Sequence, residues 1–320
     1  MCRYPRHLAI PSPSDLAVRP YTPADERTAL DLVNADRLPG QPPATPAMLA
    51  DALAGRSRAD ADWWAELDPP ATAVATGPGG AVFGIVSYAL RPGDDTGVIL
   101  WAHCRERPPV AHALVGHAVA ALAPRAIDAF HITSALSLGL ECLPVRNRPA
   151  TRAALARAGF ADNRRWRYLR RELPAPELPR LPGPVIGPGP DGDQRKRQLT
   201  VRDEATGTDV AEALVGAHDG YGALWWIGVE EHSRGRGLAR RLLGSALATL
   251  TDDLGASQVI LLLDDDDTDA TAQDVRDRTA AGALYDRAGF TEVDVLHAFT
   301  RAPAPAPVST PSPASASAPT

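Results

Sequence analysis

The sequence predicts an α/β fold, with helices packed on a mixed sheet, that occurs twice in tandem along the chain. Three observations lead to this prediction. An apolar run at 224–229 precedes a glycine-bearing turn and then apolar residues at helical spacing, which indicates a strand, a turn and a helix. Strand and helix patterns alternate in a comparable order in the first half of the chain. A Pro- and Gly-rich segment at 173–196 separates the two halves.

The first half, at 15–172, carries the patterns of a complete unit. The residues before it, 1–14, are polar and contain proline, so we expect them to be disordered. Short apolar runs predict strands at 16–20, 71–76, 81–90, 97–103, 130–138 and 164–172. Apolar residues at helical spacing predict helices at 23–35, 45–53, 110–122 and 150–158.

The second half, at 197–301, has fewer patterns ahead of its central strand. We expect strands at 197–202, 210–215, 224–229, 258–263 and 292–301, and helices at 238–250 and 278–288. The segment 173–196 has no helical periodicity, which is typical of a semi-rigid linker. Residues 302–320 consist only of Ala, Pro, Ser, Thr and Val, and this composition predicts a disordered tail.

The turn before the helix at 238–250 has the chemistry of an anion site. It reads Arg234-Gly235-Arg236-Gly237. Backbone N–H groups in a first helical turn point outward, and the helix dipole favours negative charge there. The two glycines let a bulky anion approach the backbone, and the two arginines add positive charge. A pyrophosphate is the best candidate, although a turn that only packs the helix against the sheet would show the same glycines.

The amino-acid composition argues against several classes of binding partner. Of the 320 residues, 44% are hydrophobic and 22% are charged, and the net charge is -6, so the chain lacks the basic excess of a large nucleic-acid-binding face. No stretch is long and apolar enough to span a membrane, and no secretory signal is evident. The three cysteines form no C-x-x-C pair, and the histidines lack zinc-helix spacing. We expect a cytoplasmic protein with no nucleic-acid, membrane or metal partner.

Two motifs in the second half resemble those of the GNAT N-acetyltransferase superfamily. The run 234–239 fits the Arg/Gln-x-x-Gly-x-Gly/Ala signature of the superfamily at every defined position. A second family element follows at the expected distance, in Ala281, Leu284, Tyr285, Gly289 and Phe290. The resemblance is strong over 198–301 and weaker over 16–172. It implies two GNAT-like domains in tandem, acetyl-CoA as the acyl donor and an amine as the acceptor.

The resemblance also implies which residues bind acetyl-CoA. Backbone groups of Ile227, Gly228 and Val229 are implied to pair with the pantetheine arm, and the N–H of Val229 to face the acetyl oxygen. A glycine inside a strand, here Gly228, fits a bulge or a close backbone approach. The implied residues of the pyrophosphate turn are Arg234, Gly235, Arg236, Gly237, Leu238, Ala239 and Arg240. Arg278 stands where the family often has Asn, and it either reaches the cofactor or lies on the surface at a helix start.

By the same resemblance the first half is a degenerate copy. In place of the glycine turn it has Cys-Arg-Glu-Arg-Pro-Pro-Val at 104–110, and prolines offer no N–H to a phosphate. Leu155 stands at the position that corresponds to Tyr285. We expect the first half to support the second, and the alternative is that it binds another acyl carrier.

The second half is expected to be shortened. The linker at 173–196 stands where a complete GNAT domain has its first strand and first two helices, which in the family help to shape the acceptor pocket. We therefore expect the first half, or a partner chain, to complete that pocket. The tandem layout is also similar to that of the mycothiol synthases, which have two complete domains.

Two residues are candidates for proton transfer. Tyr285 is the candidate general acid for the departing thiolate, since a tyrosine hydroxyl is protonated at neutral pH; the alternative is a core tyrosine. Glu230 is the candidate base, because it alternates with Trp226 and Gly228 on one strand face. A solvated glutamate at a strand end is the alternative, and Asp219, Glu231, His232, water or an already neutral amine are the other options for the base.

These inferences predict an acetyl-CoA-dependent N-acetyltransferase that acetylates a small-molecule amine by direct attack within a ternary complex. The alternatives are a non-catalytic acyl-CoA-sensing or interaction module, and a scaffold in which neither half binds a ligand. The acidic segment 264–274 borders the expected acceptor side. It either steers a cationic amine towards the site or is a solvated loop.

Overall fold

The computed structural model describes residues 12–57, 60–190, 192–265 and 272–303. Most of the two segments predicted to be disordered, and the acidic residues Asp266, Asp267 and Asp269, lie outside the described residues. None of the helices in these ranges is both long enough and apolar enough to cross a bilayer.

The first half contains seven strands and five α-helices within the described ranges. The strands are β1 (Ala17–Pro20), β2 (Ala71–Thr76), β3 (Val82–Arg91), β4 (Thr96–His103), β5 (Ile127–Ala129), β6 (Leu143–Pro144) and β7 (Ala161–Glu172). The helices are α1 (Glu26–Ala35), α2 (Pro46–Leu53), α3 (Ala61–Ala65), α4 (Pro108–Leu122) and α5 (Pro149–Arg157). Every predicted helix is confirmed here, and α3 is an addition.

The second half follows the predicted order. Its strands are β8 (Val185–Pro188), β9 (Lys196–Arg202), β10 (Asp209–His218), β11 (Tyr221–Val229), β12 (Gln258–Asp264) and β13 (Thr291–Arg301), and its helices are α6 (Leu238–Asp252) and α7 (Ala272–Arg287). All strands of both halves join one sheet, in the order β1-β2-β3-β4-β5-β13-β7-β12-β11-β10-β9-β8, with β6 paired to β13. Only β4 with β5 and β11 with β12 are parallel neighbours, so the sheet is mixed, as predicted.

The last strands of the two halves are exchanged. β13, which ends the second half, lies between β5 and β7, where Phe299 pairs with Ala129 on one side and with Asp162 on the other. β7, which ends the first half, lies between β13 and β12, where its Tyr168 pairs with Leu262. Each half therefore receives a central neighbour from the other half. The domain boundaries given above stay a prediction.

Two predictions about strands were wrong. The strand expected at 130–138 is instead β5 (Ile127–Ala129), and Phe130 has φ 62°, a left-handed conformation that ends the extended backbone. Apolar residues such as Ile132 and Leu136 are buried in the loop that follows, so their apolar character reflects burial and not a strand. The linker, for which no strand was expected, contains β8, which pairs with β9 at the edge of the sheet, where proline is tolerated.

Among the described residues, helices cover both faces of the first half but only one face of the second. α6 and α7 pack on the face of the second half that carries Leu224, Val259 and Leu261. No helix occurs in the described residues between β8 and β9, where a complete domain would have two. Loops of the first half cover that other face instead, with Leu38 and Cys142 packed in one cluster with Ile260.

A few close contacts fix these loops to one another, to β7 and to β12 of the second half. The hydroxyl of Tyr168 donates to the carbonyl of Pro39 at 2.9 Å, and the side chain of Gln41 accepts from the N–H of Leu138 at 2.7 Å. A Cβ on Gly40 would lie 2.5 Å from Cγ2 of Ile260, so the loop lies directly on β12. The first half thus takes over the packing that the missing helices would provide.

Candidate functional site

The centre of the second half is an opening between two parallel strands. β11 and β12 pair only from Tyr221 with Gln258 to Ala223 with Ile260. Beyond this point β11 continues along β10 and β12 continues along β7, so the facing backbone edges of 224–229 and 261–264 separate. Unpaired strand edges offer N–H and C=O groups to a ligand. We call this opening the cleft.

A β-bulge in β11 marks the start of the cleft. Leu214 of β10 pairs with Trp226 and Val215 pairs with Leu224, so Trp225 is the inserted residue. A bulge re-aims the side chains that follow it. The bulge expected at Gly228 therefore lies three residues earlier. Gly228 is instead close to the indole of Trp226, whose Nε1 would be 3.2 Å from a Cβ at this position.

The glycine turn lies between β11 and α6, as predicted. Gly235 has φ 76° and Gly237 has φ 70°, so both positions require the left-handed conformation that glycine adopts readily. A Cβ at either position would meet no atom within 4 Å, which leaves open space beside the backbone. α6 begins at Leu238, and the N–H groups of its first turn have no partner within a helix. The first-turn residues Leu238, Ala239 and Arg240 therefore present donors at the positive end of a 15-residue helix.

The arginines of the turn differ in their surroundings. Arg234 forms an ion pair with Asp277 of α7, with 3.0 Å between Nη1 and Oδ1, and its Nε donates to the carbonyl of Val229 at 3.1 Å. Arg236 and Arg240 are exposed. Arg278 lies in α7 next to Asp277 and is partly buried. The structure thus brings the glycine turn, the end of β11 and Asp277 of α7 to one side of the cleft.

Tyr285 lies on the helix-covered side of the cleft. It is only 6% exposed and belongs to the same apolar cluster as Leu263 of β12, with Ile227 and Val229 of β11 packed against that cluster. Its ring meets Phe290 edge to face, with 5.5 Å between the centroids. Burial raises the pKa of Tyr285 to about 12, so the hydroxyl is protonated at neutral pH and can donate a proton.

The candidates for the base are all near the surface. Glu230 follows β11 directly, its N–H donates to the carbonyl of Val210 at 2.9 Å, and its side chain is exposed. Glu231 and His232 are exposed in the short 3-10 turn that follows. Asp219 lies in the turn before β11, at the end of the strand away from the cleft, so the structure places it far from any reaction there.

The first half has an equivalent opening that its own side chains close. β4 and β5 pair only from Gly97 to Ile99, and a bulge follows, as in the second half. The Asp36 carboxylate accepts the N–H groups of Cys104 and Arg105 at 2.9 and 3.2 Å, in the turn where a phosphate would need them. A cavity of about 80 Å³ remains beside the end of β4, where Trp101 and His103 line it with the loops that follow α1 and β5.

A buried arginine completes this closure. Arg148 lies 3.5 Å from Asp36 and 2.6 Å from Glu106, and Glu106 accepts the N–H groups of Ala150 and Thr151 at 2.6 and 3.0 Å. Burial alone would raise the pKa of Asp36, but His103, whose Nδ1 lies 3.4 Å from the carboxylate, and the charge of Arg148 outweigh it and hold the pKa at about 2. The carboxylates of Asp36 and Glu106 therefore already accept the backbone N–H groups that a ligand of the first half would need.

Sequence reasoning missed a groove that crosses from one half to the other. It has a volume of about 970 Å³ and is lined by Trp63, Glu66 and Glu141 of the first half and by Asp264 of the second. Trp63 is 54% exposed, and Asp264 is the last residue of β12, which forms one wall of the cleft. Burial, together with the charge of Asp60, raises the pKa of Glu141 above its usual value. The exposed tryptophan was the available signal, since large apolar side chains on a surface often mark binding sites.

No family model matches the sequence, and no curated relative matches it. Its fold is similar to that of a tandem GNAT protein from the clavulanic acid biosynthesis pathway, with TM-score 0.60 and 17% identity over 91% of this chain and 99% of that chain. It is also similar to a GCN5-related N-acetyltransferase from Sphaerobacter thermophilus, with TM-score 0.55 and 16% identity over 91% of this chain and 97% of that chain. The resemblance inferred from the two motifs is thus confirmed at the level of the fold. The chain has the fold of the GNAT N-acetyltransferases, in the tandem arrangement.

Proposed function

We propose that the chain is an acetyl-CoA-dependent N-acetyltransferase that acetylates a small-molecule amine by direct attack in a ternary complex. One observation carries the proposal: the second half has an open cleft that leads to a glycine turn at a helix N-terminus, whereas internal carboxylates close the equivalent place in the first half. An opening of this kind suits a long anionic cofactor, since the turn offers donors to the pyrophosphate and the strand edge offers them to an amide-containing arm.

In this proposal acetyl-CoA supplies the acetyl thioester, and the turn Arg234 to Arg240 holds its pyrophosphate. Arg236 and Arg240 supply positive charge from the surface, while Arg234 keeps the turn against α7 through Asp277. Backbone groups of Ile227 to Val229 hold the pantetheine arm at the unpaired edge of β11, and the N–H of Val229 stabilises the oxyanion.

The amine nitrogen attacks the thioester carbonyl, and the carbon–sulfur bond breaks as the new amide bond forms. Tyr285 gives its hydroxyl proton to the departing thiolate, which its raised pKa allows because the neutral form persists at physiological pH. The amine loses its proton to Glu230 or to water, since Glu230 is the first carboxylate after the cleft-lining part of β11.

The acceptor is proposed to approach through the groove between the halves. Glu66, Glu141 and Asp264 give the groove carboxylates that attract a protonated amine, and Trp63 gives it a flat apolar wall. This groove would serve as the acceptor pocket that the missing helices cannot form.

A non-catalytic acyl-CoA sensor is the second candidate function. The observation that favours it is the absence of any carboxylate from β11 between Tyr221 and Val229, together with the exposure of Glu230. A sensor would bind acetyl-CoA as tightly as the enzyme does but would not consume it in the presence of amines.

A calorimetric titration with acetyl-CoA tests the proposal. One site per chain is expected, and Gly237→Pro should abolish it because proline cannot adopt φ 70°. Gly79→Pro is the matched control, since Gly79 has φ 75° with no atom within 4 Å of its Cβ position and lies in the first half. Retained binding in Gly237→Pro, or none in the wild type, would overturn the proposed cofactor site. If the site is present, release of free CoA thiol with a panel of diamines and aromatic amines separates the enzyme from the sensor.

A further inference from the structure

The inserted residue of the β11 bulge is held by the first half of the chain. A Cβ on Gly139 would lie 1.9 Å from Cζ3 and 2.2 Å from Cη2 of Trp225, so the indole occupies the space in which a side chain at 139 would stand. Leu138 and Leu140, on either side of Gly139, pack in the same cluster as Trp225. The loop of the first half therefore forms the seat of this indole.

The opposite side of the indole lies close to the second half. A Cβ on Gly216 of β10 would lie 3.0 Å from Nε1 of Trp225, so a side chain at this position would crowd the indole. Nε1 is buried and has no hydrogen-bond partner among the described residues. The ring is thus held by its shape between two glycines and not by a polar bond.

The position of Trp225 ties this seat to the cleft. The last parallel pair of β11 and β12 is Ala223 with Ile260, and Trp225 is inserted two residues later, where the strands separate. Across the insertion the alternation reverses: Leu224 faces the α6 and α7 side, Trp225 faces the first half, and Ile227 and Val229 face the α6 and α7 side again. Without an insertion, Ile227 would share a face with Trp225.

The loop that seats the indole is itself fixed by other residues of the first half. Gln41 accepts the N–H of Leu138 at 2.7 Å and lies 3.2 Å from the hydroxyl of Tyr168, which belongs to the exchanged strand β7. Gln41 is buried, at 2% exposure. The hydrogen bond to Gln41 would therefore resist a displacement of the loop around Gly139. Any displacement that does occur would move the indole of Trp225, which the loop contacts.

We propose that Trp225 is a positioning residue through which the first half keeps the acetyl-CoA cleft of the second half open. The inserted residue needs a place for its side chain outside the sheet, and the loop around Gly139 supplies that place. The first half, which closes its own cleft, would in this way act on the cleft of its neighbour. This inference rests on the proposed function, because it concerns binding of acetyl-CoA to the second half.

Gly139→Ala tests the inference, because the added Cβ overlaps the indole. We expect acetyl-CoA binding to weaken by about tenfold. Gly79→Ala is the matched control: Gly139 and Gly79 have φ 61° and 75°, so both variants carry similar backbone strain, but a Cβ at Gly79 meets no atom within 4 Å. Trp225→Phe lacks the two ring atoms that the Cβ would overlap, so adding it to Gly139→Ala should restore affinity to within about threefold of the wild type.

Rescue by the double variant would show that the loss comes from the overlap with the indole and not from backbone strain at position 139. Should Gly139→Ala fail to fold, Trp225→Ala removes the indole without any overlap and should also weaken binding by about tenfold. Wild-type affinity in folded Gly139→Ala or Trp225→Ala would overturn the inference and leave the proposed function in place. A wild-type chain that binds no acetyl-CoA would overturn both.

Discussion

The guanidinium of Arg234 joins the glycine turn to helix α7 through Asp277, with 3.0 Å between Nη1 and Oδ1. The same side chain donates from Nε to the carbonyl of Val229, the last residue of β11. One arginine therefore links the strand, the turn and the helix that border the cleft. Both partners of the ion pair are about half exposed, so the link orders the site more than it stabilises the fold.

Arg234→Ala should weaken acetyl-CoA binding by about tenfold, because it removes a charge from the turn and the bond to Val229. Asp277→Asn should weaken binding by less than about threefold, because the guanidinium keeps its charge and its bond to Val229. Titration calorimetry measures both, with Arg56→Ala as the control, since Arg56 forms an exposed pair with Asp51 in the first half. Equal losses in the two variants would show that Arg234 acts only through α7.

Tyr285→Phe should lower kcat by about a hundredfold, because the departing thiolate loses its proton donor. The dissociation constant for acetyl-CoA should stay within about twofold, since the aromatic ring and its contact with Phe290 remain. Steady-state kinetics and calorimetry give the two values, and Tyr88→Phe in the first half is the control. An unchanged kcat would remove Tyr285 from the mechanism.

Alkaline unfolding should report the burial of Tyr285. Its pKa in the folded chain is about 12, whereas an unfolded chain has the ordinary value near 10. The folded state holds this proton more tightly, so the stabilisation is complete below about pH 10 and is lost as the pH rises towards 12. Between these limits the free energy of unfolding should fall by about 2 kcal/mol less in Tyr285→Phe than in the wild type. Parallel curves from urea unfolding would contradict this.

Asp36→Asn should destabilise the chain by about 3 kcal/mol, because Arg148 keeps its charge in a buried place after losing one of its two carboxylate partners. Asp51→Asn is the control, since Asp51 is exposed and pairs with exposed Arg56. Urea unfolding measures both variants. The stoichiometry of acetyl-CoA should stay at one per chain in Asp36→Asn, and a loss below about 1 kcal/mol would show that the buried network is not structural.

Trp63→Ala should raise the KM for the acceptor amine by about tenfold and leave the affinity for acetyl-CoA unchanged, because the groove loses its flat apolar wall. Initial rates with any amine that the wild type acetylates provide the measurement. Val185→Ala is the matched control, since Val185 is 53% exposed, close to the 54% of Trp63, and lies at the far edge of the sheet. An unchanged KM would place the acceptor elsewhere.

Local sequence patterns were sufficient to predict the glycine turn and most of the individual helices and strands. Gly235 and Gly237 were recognised because a left-handed turn before a helix needs glycine, and the helix after them begins at Leu238 as expected. The strand at 130–138 was mispredicted because the sequence records that Ile132 and Leu136 are buried but not whether their backbone is paired. Burial and strand pairing leave the same apolar signature in a short run.

Strand pairing and side-chain contacts between distant parts of the chain left no local pattern in the sequence. β7 and β13 have the same alternating pattern whichever strands they pair with, so their exchange could not be read from the sequence. The groove combines Trp63 with Asp264, and the closure of the first cleft combines Asp36 with Arg148. Each of these needs the path of the chain in space, which only the fold supplies.

The exchange of the last strands also sets the order in which the chain can be completed on the ribosome. β5 cannot pair with β13 until β13 has been synthesised. The partner of Ala129 is Phe299, which lies near the end of the described chain. Until then the first half carries an open strand edge, which invites pairing with other nascent chains. A fragment that ends near 172 leaves the edge of β5 without its partner, and we expect such a fragment to aggregate.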